Sequence, residues 1–430
     1  MREEKKKMKG KLAMSLLTMM VLSTYVSSQT STDTFQEPIF NALSVQPTKL
    51  YGSDSGRDDG FGSSVAISET TAVVGAPYAR VGSHYAQGAA YVFTLTHSGW
   101  QQQAKLVARN GKDYDEFGLS VSISGDTVVV GAPHTDVTGK TNMGAAYVFL
   151  RRGTTWSQQA EITCAGSADD YFGYAVGVNG NTAIIGAPGT DIPNSVTGGT
   201  YFNSDQGAAY VYTRGGSSWY QETVLFEARK DPYHGSYNNF GAAVSISGSK
   251  IVVGVPGDDL VSQNDHMGSV RVYNKSHPYE GGTRVVASSD GSYISSFGWS
   301  VSIDGTRLVV GSSYLIRVFE LRADASWRQT VEFGRGSFGD GFGESVSVDG
   351  NIIAVGAPYS DHNNRLDAGS LFVYELIGKS WVQSKMEASD GLAGDHFGSS
   401  VAVSGKTVIV CADSDDTGAK SNQGSCYIFP

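Results

Sequence analysis

The residues best suited to metal chemistry are the run Asp413-Ser414-Asp415-Asp416-Thr417-Gly418. Alternating aspartates with a glycine to turn the chain offer several hard oxygens from one short loop, which suits the large, flexible shell of calcium. Asp413, Asp415 and Asp416 would be the ligands. The run lacks the distal bidentate Glu of a high-affinity loop, so binding would be weak, about 10⁻⁴–10⁻³ M. The competing reading is a solvated acidic loop. Nothing else in the sequence requires a cofactor. Cys411 and Cys426 are placed to form a disulfide if the segments carrying them are neighbours; two buried thiols are the alternative, and Cys164 has no partner. Asn274-Lys275-Ser276 is the only acceptor sequence for N-glycosylation. No nucleophile elbow, HExxH or P-loop occurs, so no catalytic residue is assigned.

Elements must exist to carry these residues. Charged residues make up 17% of the 430, against a usual value of about 25%. Glycine is abundant, at 54 residues, but has no Gly-X-Y period, which excludes collagen. The net charge of -10 argues against nonspecific nucleic-acid binding. Residues 1–28 read as a signal peptide: a basic start (Arg2 to Lys11), an apolar stretch from Leu12 to Val26, and small residues at Ser27-Ser28. An uncleaved anchor is the alternative. Residues 29–42 read as a disordered linker, and no later segment is long and apolar enough to span a bilayer. The expected product is secreted, with no transmembrane segment in the mature chain.

From residue 43 onward the chain repeats. Phe-Gly recurs at Phe61, Phe117, Phe172, Phe240, Phe297, Phe342 and Phe397, each followed by glycine. An alternating run follows each pair (SVSIS at 120–124). Then come a tight turn, an apolar run ending in Gly-Ala-Pro (TVVVGAP at 127–133), a loop, GAAYVF (144–149) and a Trp-led strand. Tight Gly/Asn/Asp turns between such runs are hairpin chemistry. This predicts four strands per unit, here A to D in chain order. Seven such units predict an all-β, seven-bladed β-propeller of antiparallel blades over 43–430. The last unit lacks strand D, and an orphan strand, 43–51, precedes the first Phe-Gly. Leu50 lies eleven residues before Phe61, as Leu106 lies eleven before Phe117, so the orphan is expected to complete the last blade and hide its edge. The fifth unit runs from Val310-Gly311-Ser312-Ser313 almost straight into Ile316, which predicts a notch in the rim.

Phe-Gly before strand A and Gly-Ala-Pro after strand B, with GAAYVF beyond, resemble the FG-GAP repeat. That repeat builds the seven-bladed propeller of integrin alpha subunits and of many secreted proteins. The later units depart from it: Gly254-Val255-Pro256, Gly311-Ser312-Ser313 and Cys411-Ala412-Asp413 replace Gly-Ala-Pro. Integrin propellers carry calcium loops between strands A and B. Here that connection is a tight turn with no room for one, so those sites are not carried over.

In an up-and-down blade the B–C loops and the D–A links between blades share one face. Twenty-four acidic residues fall on these segments, against about ten basic ones. Asp136, Asp191, Asp258, Asp259 and Asp361 represent this candidate ligand-binding face. The competing reading is that each such Asp caps a turn. His84, His134, His234, His266, His362 and His396 map to the same face. The first functional expectation is a non-enzymatic adhesion or protein-binding propeller. The second is a lectin-like propeller binding glycans, which aromatic and Asp/Asn clusters on that face would favour.

Overall fold

A computed structural model describes residues 46–193, 202–203, 205–227, 237–259, 267–277, 282–286, 296–334, 339–418 and 420–430. The expected signal peptide and linker, His234, His266 and most of the long third-blade loop lie outside them. Seven four-stranded antiparallel sheets follow one another in chain order, and a two-residue hairpin (Ile192–Pro193 with Phe202–Asn203) sits in the third B–C connection. The second blade shows the pattern: Ser120–Ser124, Thr127–Ala132, Ala145–Arg152 and Thr155–Ile162. Strand B is buried on both faces, as its Val/Ile composition requires. The A strands stand side by side around the axis, and Phe397–Ser404 of the last blade lies beside Ser64–Ser68 of the first.

The seventh sheet takes its fourth strand from the other end of the chain. Thr48–Leu50 pairs antiparallel with Ser425–Phe429, with Leu50 opposite Cys426. The pairing is shorter than the 43–51 run. Pro47 has no N–H to extend the ladder, and residues 43–45 are not described. Cys411 and Cys426 face each other on strands B and C of this blade and are joined as a disulfide.

Two devices hold blade to blade. The first is apolar. Phe117 packs against Val73, Val92 and Leu106 of the blade before and Val128 and Phe149 of its own. Six of the seven repeat phenylalanines have no exposed surface, and Phe342 has 3%. Burying each stabilises by about 2–3 kcal/mol. The Gly-Ala-Pro glycine lies against the Phe-Gly carbonyl of the next blade, as at Gly131 and Gly173, where a Cβ would overlap the oxygen. At the seventh joint Cys411 stands in the glycine's place, against Gly62.

The second device is polar and comes from the serines of strand A. At its first position Ser64, Ser120, Ser300, Ser345 and Ser400 donate to the Phe-Gly carbonyl of the next blade, at 2.7–2.8 Å. At the middle position Ser122, Ser245, Ser302 and Ser347 accept backbone N–H groups of the next strand A. At the last, Ser68, Ser124, Ser247, Asp304, Asp349 and Ser404 accept the N–H that opens the next blade's turn. Each bond contributes about 1 kcal/mol net. These strands line an open, polar axial pocket of about 400 Å³. The alternation SVSIS is therefore an inter-blade seam.

Candidate ligand-binding face

The B–C loops are built alike on blades 1, 2, 6 and 7. At each tip two residues exchange backbone hydrogen bonds, Val81 with His84, Val137 with Lys140, His362 with Arg365 and Thr417 with Lys420. Beyond the tip, the loop lies parallel to the next D–A link. Tyr114, Glu116 and Phe117 donate in turn to the carbonyls of Tyr85, Ala86 and Gln87; Asp169, Tyr171 and Phe172 do the same to Thr141, Asn142 and Met143. The loops are thereby preorganised rather than free. The fifth blade departs: only residues 312–315 join its B and C strands, against 358–369 on the sixth.

Many carboxylates on this face secure its own turns. Oδ1 of Asp136, Asp191 and Asp361 accepts the N–H of Asn142, Asp205 and Asp367, at 3.0–3.1 Å. Asp258 is fully buried, accepts the Ser269 hydroxyl and pairs with Arg284; Asp259 beside it is half-buried. One aspartate two residues before the repeat phenylalanine is buried in each of four links. Asp59, Asp115, Asp170 and Asp395 accept the N–H of the residue three before them. Burial pushes all four carboxyls upward, Asp170 to about 6. The capping aspartates Asp136, Asp191 and Asp361 stay exposed, as do Asp54, Asp58 and Asp113, so the face keeps a negative field.

In the run at 413–416 each aspartate has its own partner. Asp415 is buried, accepts the Ser425 hydroxyl and pairs with Lys49 at 2.7 Å. Asp416 caps the Asn422 N–H at 2.8 Å. Asp413 turns to His396, 3.7 Å away. Among the described residues no three His, Cys, Asp or Glu side chains cluster to hold a metal.

Asp413 belongs instead to a group around the axial mouth. His396 lies edge-on to Tyr359, at 5.1 Å between rings. The Asp413 carboxylate beside it draws its imidazole pKa upward, against burial. Asp413 is within electrostatic reach of both Tyr78 and Tyr359, from blades 1 and 6. Burial raises the carboxyls of Glu344 and Glu116; Glu116 lies 3.4 Å from His134, and His134 is edge-on to Tyr171. The trio Ser414, His396 and Asp413 is not a catalytic relay. The hydroxyl, at 3.2 Å, and the carboxylate both address Nδ1, whereas a relay needs one at each ring nitrogen.

What the acid count did not reveal is an aromatic surface. Thirteen large hydrophobic side chains are exposed among the described residues, and all but Leu95 and Tyr220 sit on the B–C loops, the D–A links or directly after a repeat Phe-Gly. Tyr78, Tyr85, Tyr114, Tyr174, Trp299 and Tyr359 are among them. In the sequence they hide among 22 tyrosines; their position relative to Phe-Gly and Gly-Ala-Pro was the available signal.

Compared with known protein families, the sequence matches the FG-GAP repeat seven times, at residues 45–93, 100–149, 156–212, 234–273, 283–316, 335–374 and 381–429. The chain is an FG-GAP repeat protein. None of the curated proteins compared matches it. FG-GAP propellers are characteristically binding or adhesion modules of extracellular and cell-surface proteins, and characteristically not enzymes. Among the described residues of this FG-GAP protein no helix is long and apolar enough to cross a membrane. The sequon Asn274 ends a C strand, away from the B–C loops.

Proposed function

We propose that this chain is exported and acts as a non-enzymatic binding or adhesion propeller, engaging an extracellular protein through the B–C and D–A face. The observation that carries the reading is the concentration of exposed tyrosine, tryptophan and leucine on that one face, over rigid loops. Tyrosine and tryptophan bring large contact area at low entropic cost and dominate interface energetics. The surrounding carboxylates favour a partner with a basic surface and speed its encounter.

The test is capture from the extracellular fraction with the intact chain, a Tyr85→Ser/Tyr114→Ser variant and a Tyr220→Ser control. Capture lost in the double variant and kept in the control supports the reading; equal capture by all three overturns it. A lectin-like function is the second reading, favoured by Tyr114 beside Asp113, whose carboxylate accepts the Tyr85 N–H. Specific binding on a glycan array, lost in the same double variant, would decide for it.

A further inference from the structure

Asn274 ends the C strand of the fourth blade, opposite Lys250, on the side of the A–B turns and C–D loops. It is exposed. The chain then turns: the Lys275 N–H donates to Ser249 O at 2.8 Å and the His277 N–H to Asn274 O at 3.0 Å. The side-chain oxygen of Asn274 accepts both the N–H of Ser276, at 3.3 Å, and its hydroxyl, at 3.0 Å. Its amide nitrogen makes no hydrogen bond among the described residues. Asparagines on the binding face differ. Nδ2 of Asn142 holds Asp169 and Nδ2 of Asn422 holds Asp58, each at 2.9 Å, so a substituent there would break a loop contact.

We propose that Asn274 carries an N-linked glycan, placed on the face opposite the ligand surface. The inference rests on the export reading above. In the transfer, the amide nitrogen attacks the anomeric carbon of a polyprenyl-diphosphate oligosaccharide. The nitrogen–carbon bond forms, the sugar–phosphate bond breaks, the amide proton goes to a base, and polyprenyl diphosphate leaves. The folded blade tolerates the product because it consumes only an amide nitrogen that holds no contact among the described residues, on an exposed side chain. A bulky hydrophilic group there shields the A–B/C–D side and leaves the acidic, aromatic face as the one open to a large partner.

The full chain would be expressed in eukaryotic cells, once with its own leader and once with a proven secretory leader. Protein from the medium would be deglycosylated in ¹⁸O water and mapped by mass spectrometry. One glycan at Asn274, lost in Asn274→Gln and Ser276→Ala and kept in Ser276→Thr, is the expected result. Folded, exported protein with an unmodified Asn274 overturns the proposal. A glycan found only with the substituted leader upholds the site and refutes the export reading. For orientation, Leu366→Thr makes Asn364, on the ligand face, an acceptor. That glycan should abolish partner capture, whereas enzymatic removal of the Asn274 glycan should leave capture unchanged; the opposite pattern overturns the placement.

Discussion

Replacing Lys49 with methionine should loosen the closing blade far more than the same change at its counterpart, Lys105. Both lysines lie on strand D opposite a strand-C tyrosine, Tyr427 and Tyr91, and both reach the first aspartate of the link leading into their own blade, Asp390 and Asp54, at 2.7 Å. Those aspartate side chains are 52% and 57% exposed, so each such pair is worth less than about 1 kcal/mol. Lys49 alone has a further partner, Asp415, at 2.7 Å and 4% exposed; the first blade has Ala79 at that position. Removing one member of a buried pair costs about 3–5 kcal/mol, because the other charge remains. The Ser425 hydroxyl still serves Asp415, so the lower end applies. Lys49→Met should therefore cost about 3 kcal/mol and Lys105→Met under 1. Ser360 and Thr135 occupy the Asp415 position in other blades. Asp415→Ser in the Lys49→Met background should recover most of the loss. Burial alone would lower the Lys49 pKa, but its bonds to Asp390 and Asp415 hold it above the ordinary 10.5. Its contribution is then fully present below pH 10.5 and lost only above it. Urea unfolding at pH 7.5, followed by tryptophan fluorescence, measures all four proteins. Equal losses at Lys49 and Lys105, or a double variant no more stable than Lys49→Met alone, would refute the reasoning.

Three further outcomes are expected from the same assay. Glu69→Gly should stabilise by about 1 kcal/mol, since Glu69 has φ 53° at a turn position held by glycine in the other six blades; no gain would mean that its side chain compensates. Gly131→Ala should cost more than about 3 kcal/mol, because the methyl would meet the Gly173 carbonyl of the next blade; a loss under 1 would show that the joint can open. Asp170→Asn should be more stable than the native chain above pH 6, by about 1–2 kcal/mol, with the advantage fading as pH falls to 4. Burial raises the folded carboxyl from 3.8 to about 6, so ionisation is disfavoured in the folded state above that pH and makes no difference below 3.8. An advantage independent of pH would assign the effect elsewhere.

The fold was legible because a ring of equivalent blades repeats its demands. Each blade needs the same phenylalanine in the joint, and six of the seven the same glycine at the close approach, so Phe117 and Gly131 recur at fixed spacing and announce themselves. The short fifth connection was legible for the same reason, as residues missing from a register. The partners of the aspartates at 413–416 were not. Alternating aspartates in one dimension say nothing of direction, and Asp413, Asp415 and Asp416 are drawn to His396, Lys49 and the Asn422 N–H, of which Lys49 comes from the other end of the chain.

Repetition in the amino-acid order was thus enough to determine the seven blades, their four strands and the face on which the loops gather. Local rules of turn, alternation and apolar period act within one blade and need no partner. Which carboxylates are spent on the scaffold, which tyrosines remain exposed, and that strand-A serines sew each blade to the next were decided only by the tertiary structure. Those outcomes depend on groups that meet across a joint: Lys49 reaches Asp415 from the other end of the chain because the seventh blade borrows its last strand.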